Sequence, residues 1–271
     1  MLSPESQRPK AFSDEEYKLV QGMLDDLVRI LRIVPGGGKI EEDYWSYIYH
    51  QIRRAPLGHW SNLPMRDYCY DGLGVEMKLL KRRHPLADQG SSLMHPAATR
   101  RIAFEPNDSA EACKTTILKQ FANQISDFRR RVEATKPGTE PDLRWGVLLW
   151  SGDLTEFLYF EERMIEPNPD HFYAEFVQRY HRGRPTTSLS IYEKSTGVKR
   201  FSVTLPQRGA KVQPYFDVPR VGEGAYAFVV RDSSLRPLWL RSETIAVLEA
   251  AACKRSIDEL ILAALEALNS K

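Results

Sequence analysis

The sequence predicts an α/β protein in which a mixed central β-sheet is flanked by helices and followed by a β-rich, basic C-terminal half. Two observations carry this. Helical and alternating segments run in the order α, α, β, β, α, β, β over residues 1–160, and the remainder is dominated by short alternating runs. The 271 residues, 42% hydrophobic and 27% charged, suffice for a sizeable core and exclude wholesale disorder.

Each element has a local cause. Ser13-Asp14-Glu15-Glu16 is a capping box, and Val20, Met23, Leu24, Leu27 and Leu31 follow at helical spacing, which predicts an amphipathic helix over 13–34. Pro35-Gly36-Gly37-Gly38 ends it as a hinge; Lys39 is followed by Ile40, so the phosphate-loop pattern fails. A second helix over 41–54 carries Tyr44, Trp45, Tyr47, Ile48 and Ile52 as a broad aromatic face for the core. From Met65 the period becomes two: strands over 65–70 and 75–81 flank the turn Asp71-Gly72-Leu73-Gly74 in a hairpin. Residues 82–110, with Pro85, Gly90-Ser91-Ser92 and Pro96, read as a long loop.

A helix over 111–134 turns Ile117, Leu118, Phe121, Ile125 and Phe128 inward and ends on Arg129-Arg130-Arg131, cations that suit a helix C-terminus. Strands follow over 145–150, apolar enough to be buried on both faces, and 157–160. Beyond Pro169 the reading is a short helix over 171–180, a hairpin of 188–192 and 201–205 around Ser195-Thr196-Gly197, strands over 225–230 and 237–240, and two closing helices, the last opened by the capping box Ser256-Ile257-Asp258-Glu259. The expected organisation is an N-terminal helical segment (1–40), an α/β core (41–165) and a hairpin-rich region with C-terminal helices (166–271), packed with the core as one unit.

Cys69, Cys113 and Cys253 stand at wide, irregular spacings, so neither a disulfide framework nor a close-spaced zinc module is present. No run of about 18 apolar residues would span a membrane, and the N-terminus lacks signal-peptide organisation. A cytoplasmic protein is expected. The net charge of +2 is unevenly distributed: residues 1–50 sum to −3, residues 51–100 to +4, and residues 178–213 to +7, with Glu193 the single acid of that last stretch. A one-sign segment attracts an anionic partner such as a phosphate backbone.

The chemistry concentrates in Arg66-Asp67-Tyr68-Cys69-Tyr70-Asp71-Gly72-Leu73-Gly74-Val75-Glu76-Met77-Lys78-Leu79-Leu80-Lys81. Alternation on the second strand sends Val75, Met77 and Leu79 to one face and Glu76 and Lys78 to the other. The hairpin brings Asp67 or Asp71 near Glu76. Carboxylates beside an amine at a sheet edge suit a hard divalent cation such as Mg²⁺ and leave the amine to act on water. Glu42 or Asp43 on the preceding helix would add a carboxylate, although acids in a helix's first turn also serve the dipole. Acid-x-Lys occurs twice in the chain, no more than composition supplies; Glu16-Tyr17-Lys18 belongs to a helix start, so context distinguishes Glu76-Met77-Lys78.

This arrangement resembles the PD-(D/E)xK nuclease superfamily, with Glu76-Met77-Lys78 as its Glu-x-Lys element and Asp67 as the upstream aspartate. Asp71 ranks second. The resemblance covers roughly residues 40–160, lacks a proline directly before either aspartate, and has a short nine-residue spacing from Asp67 to Glu76. It implies a restriction-endonuclease-like core holding one or two Mg²⁺ ions, with Asp67, Glu76 and Lys78 catalytic and Asp67, Glu76 and Asp71 as metal ligands. It implies a type II restriction endonuclease, a homodimer cutting a specific site in double-stranded DNA and leaving 3′-hydroxyl and 5′-phosphate ends. The candidate DNA contacts are Lys81, Arg82 and Arg83 beyond the motif and Arg179, Arg182, Arg184, Lys199, Arg200, Arg208 and Lys211 in the basic stretch. The alternatives are a non-catalytic DNA-binding protein and a repair or non-specific nuclease of the same fold.

Overall fold

Helix α1 (Asp14–Ile33) starts where its capping box places it: Ser13 Oγ accepts from the Glu16 amide at 3.2 Å, and Glu16 Oε2 accepts from the Ser13 amide at 2.7 Å. The structure, a computed structural model, describes residues 8–33, 38–55, 67–94, 109–181, 184–204 and 211–231. Helix α2 (Glu42–Ile52) buries Tyr44, Trp45, Tyr47, Ile48, Tyr49 and Ile52, as its aromatic face requires. The hairpin of β1 (Tyr68–Tyr70) and β2 (Leu73–Arg82) is tighter than its sequence suggests. Tyr70 pairs directly with Leu73, leaving Asp71 and Gly72, both at positive φ (49° and 80°), as a two-residue turn.

Residues 82–110 are not wholly irregular. They hold a 3₁₀ turn (Pro85–Asp88) and strand β3 (Ser92–Met94), which pairs with a strand more than a hundred residues later. Helix α3 (Ala110–Glu133) is capped by Ser109 Oγ, which accepts from the Ala112 amide. Strands β4 (Asp142–Ser151) and β5 (Glu156–Arg163) follow, β4 buried along nearly its whole length. The helix expected over 171–180 is instead strand β6 (Phe172–His181), paired over ten residues with β7 (Arg184–Glu193). Phe172, Phe176 and Tyr180 stand four apart and imitate a helical face, but the full ladder to β7 outweighs that local pattern. Strands β8 (Lys199–Thr204), β9 (Lys211–Asp217) and β10 (Ala225–Val229) complete the described chain. The 237–240 strand, the closing helices and the Pro35-Gly36-Gly37 hinge lie outside the described residues.

The protein is mixed α/β with two five-stranded sheets. The first, ordered β1-β2-β4-β5-β10, is mixed: β2 and β4 run parallel, joined through α3, and its other pairs are antiparallel. The second, β3-β9-β8-β7-β6, is antiparallel. Neither comes from one stretch of chain, since β3 joins the later strands and β10 returns to the first sheet. Helices α1 and α2 pack with Val75, Met77, Leu148, Trp150 and Tyr159 on one face of the first sheet. Helix α3 lies between the sheets, Phe121 meeting Trp145 of β4 on one side and Phe201 of β8 on the other. Among the described residues no helix is long and apolar enough to cross a membrane.

Polar groups fasten these layers. Gln21 of α1 bonds both the amide and the carbonyl of Val229, and Tyr17 donates to the Ala227 carbonyl, so α1 occupies backbone groups along β10, an edge strand of the first sheet. Glu161, fully buried, accepts from Tyr49, Tyr159 and Arg144 at 2.8 Å each, pinning α2 to the sheet. Gly146 makes this possible, because a Cβ there would lie 2.5 Å from the Tyr159 hydroxyl and 2.9 Å from Val75.

Arg8 joins β5 to the second sheet, reaching Glu162 at 3.6 Å and the Asp217 carbonyl at 2.9 Å. Burial pushes the Glu162 carboxyl up to about 7 from its ordinary 4.5; Arg8 and Arg200 oppose the rise and Asp217 adds to it. An acid raised on folding favours the fold in its protonated form, so its contribution is complete below pH 4.5 and lost as pH climbs through about 7. Glu162→Gln should match the wild type near pH 4 and gain thermal stability over it as pH rises toward about 8. A difference in melting temperature independent of pH would contradict this.

Candidate active site

The nine-position step from Asp67 to Glu76 is what a two-residue turn demands. With Tyr70 opposite Leu73 and Tyr68 opposite Val75, the register extends to place Asp67 opposite Glu76. Among the described residues β1 ends there, so the outer edge of β2 lacks a strand partner from Glu76 onward. Asp67 closes it with a side chain: Oδ2 accepts from the Met77 amide at 2.6 Å. The Asp67 carbonyl in turn accepts from Ser46 Oγ and His50 Nε2 of α2, each at 3.1 Å.

Alternation along β2 sorts its side chains as the sequence predicts. Val75 and Met77 enter the core beside α1 and α2. Gly74, Glu76, Lys78 and Leu80 take the opposite side; Gly74 lies so close to Val132 and Phe128 of α3 that a Cβ would collide with both. Glu76 is 2% exposed, and the Lys78 and Asp67 side chains are 16% and 17% exposed. Lys78 Nζ stands 2.7 Å from Glu76 Oε1, 3.1 Å from Glu42 Oε1 and 3.9 Å from Asp67 Oδ2. Three carboxylates from α2, the segment leading into β1, and β2 thus meet at one ammonium. Among the described residues no three carboxylate, imidazole or thiolate groups already form a metal-holding set; Lys78 Nζ is the point the carboxylates share.

Electrostatics follow from this crowding. Burial, reinforced by the Glu76 charge, pushes Asp67 up to about 8 despite Lys78 and the Met77 amide. Burial works against the Lys78 charge, but Glu76, Asp67 and Glu42 outweigh it and hold the ammonium above its ordinary value. Lys78 is therefore a fixed cation and not a base at neutral pH. Raised to about 8, Asp67 holds its proton at neutral pH, so the three carboxyl groups around Lys78 do not all carry charge; as hard oxygen donors they are of the kind that suits Mg²⁺.

The remaining sequence candidates are placed differently. Asp71, at the tip of the turn, is 64% exposed and pairs with Lys136 at 3.1 Å, away from the cluster; its positive φ belongs to the turn. Arg82 is held by Asp88 through two bonds of 2.6 and 3.0 Å. Arg200 pairs with Glu193 and Asp217, each at 3.2 Å. Lys199 sits 5.3 Å over the Tyr215 ring, while Lys211, Lys81 and Arg83 are exposed. Arg182 and Arg208, and the side chains of Arg179 and Arg184, lie outside the described residues.

Ser46 and His50 escape a reading centred on the motif. With Glu42 they stand four apart along α2, a polar stripe on an aromatic helix, and that spacing of four was the available signal. Comparison with protein-family models, with curated proteins and with solved structures returned no match.

Proposed function

We propose that this chain is a Mg²⁺-dependent DNA endonuclease of the PD-(D/E)xK type. The observation that carries the reading is the convergence of Asp67, Glu76 and Glu42 on Lys78 at the edge of a mixed sheet. Asp67 and Glu76, with Glu42 as a third carboxylate, would hold the ion through oxygen donors. Such an ion, when bound, supplies charge stabilisation at phosphoryl oxygens and activation of water.

The chain's own residues do the rest. Lys78 supplies a fixed cation for charge developing on the phosphoryl oxygens, and it orients the attacking water. Ser46, His50 and the Met77 amide hold Asp67 from both its carbonyl and its carboxylate, so its position is set before substrate arrives.

The resemblance extends the reading to a restriction-type homodimer acting on duplex DNA. Incubating the full chain with mixed plasmid and phage DNA, with Mg²⁺ or with EDTA, tests it on one gel. Discrete fragments in Mg²⁺ alone are expected. A metal-dependent smear would replace site-specific cutting with a non-specific nuclease, and shifted bands without cuts in either lane would replace catalysis with DNA binding.

A further inference from the structure

Beginning three residues beyond Lys78, Lys81-Arg82-Arg83-His84 lead out of β2, which ends at Arg82, and with Gly152 and Asp153 line an open cavity of about 520 Å³. Its charges are not equally available. Arg82 is locked by Asp88, and the Asp153 carboxylate accepts from the Thr155 amide and hydroxyl at 3.3 and 2.9 Å. Lys81, Arg83 and His84 are exposed, and none of the three has a carboxylate partner among the described residues. The Lys81 ammonium lies 5.3 Å from the Trp150 ring centroid. Gly152 makes room for it, since a Cβ there would stand 2.7 Å from Lys81 Cε and 3.0 Å from Nζ.

A concave site lined by two permanent cations and an imidazole, whose one acid keeps its charge but is turned to Thr155, carries positive charge in excess and suits an anion. Lys81 follows Lys78 by three residues of β2, about 10 Å of strand or roughly three nucleotides of duplex axis at about 3.4 Å each, and alternation turns the two side chains to opposite faces, so a duplex reaching both passes around the outer edge of β2. We propose that this pocket takes one backbone phosphate of the DNA, within about three nucleotides of the bond cut at Lys78. The inference rests on the nuclease reading and adds to it a defined second contact on the substrate.

The test is single-turnover cleavage in Mg²⁺ of duplexes carrying one uncharged methylphosphonate at each position within three nucleotides of the cut. Wild type, Arg83→Ala and Gly152→Ala are compared; Arg83 is exposed, and the added Cβ of the second variant meets only the flexible end of Lys81. At one position the methylphosphonate should slow the wild type about ten- to a hundredfold and slow Arg83→Ala little further, with Gly152→Ala showing the same loss of dependence. Losses that add at every position, or undiminished cleavage by both variants, would overturn the pocket while leaving the nuclease reading standing. Absence of Mg²⁺-dependent cleavage by the wild type would overturn both.

Discussion

Replacing Lys78 with alanine should lower the DNA cleavage rate about 10²- to 10³-fold while leaving DNA affinity nearly unchanged. The expectation follows from its surroundings. Three carboxylates hold the side chain protonated and fixed, so at neutral pH it serves chemistry as a positioned charge. On the proposed reading it would be one cation among many facing DNA, so its loss should remove little of the sequence-independent attraction. Lys78→Arg should not restore the rate, because a planar guanidinium cannot occupy a point set by carboxylates on three sides. Single-turnover rates beside binding measured in Ca²⁺ separate the two effects. A rate unchanged in Lys78→Ala would remove the lysine from the mechanism.

Arg144→Ala should cost about 3–5 kcal/mol and lower the melting temperature by on the order of 10 °C. Arg144 reaches Glu161, which is fully buried beneath α2, and also pairs with Asp142. Removing the guanidinium leaves a buried carboxylate with only two tyrosine hydroxyls for support. Glu161→Gln added to Arg144→Ala should recover much of the loss, since a glutamine oxygen still accepts from Tyr49 and Tyr159 without carrying charge. Thermal unfolding of the single and double variants checks this; an Arg144→Ala protein as stable as the wild type would contradict it.

Much of the first sheet was legible because its signals are local. The capping box at Ser13 sets the start of α1, the Asp71-Gly72 pair sets the hairpin, and the apolar run around Trp145–Trp150 sets a strand buried on both faces. The shared face of Glu76 and Lys78 followed from alternation, while a turn read over four residues, Asp71 to Gly74, left both Asp67 and Asp71 open as the acid facing Glu76. What escaped depends on distant partners. A three-residue strand at Ser92–Met94 has no periodicity to read and exists because β9 pairs with it. Residues 172–181 satisfy two periods at once, and only their neighbour β7 decides between them. Ser46 and His50 were hidden by composition, since a helix so rich in aromatics directs attention to the face it buries, whereas Glu42 stood beside Asp43 as a candidate extra carboxylate.

On the proposed reading, Asp67, Glu76, Glu42 and Lys78 form a metal-dependent phosphodiester-cleaving centre. The most direct measurement pairs Mg²⁺ binding by calorimetry with DNA cleavage, for the wild type and for Glu76→Gln, which keeps the shape of the buried side chain and removes its charge. The wild type is expected to bind Mg²⁺ and to cut, leaving 5′-phosphate ends, and Glu76→Gln to lose both while still shifting DNA on a gel. Cleavage by Glu76→Gln at the wild-type rate, or no cutting by the wild type in any divalent cation, would contradict it.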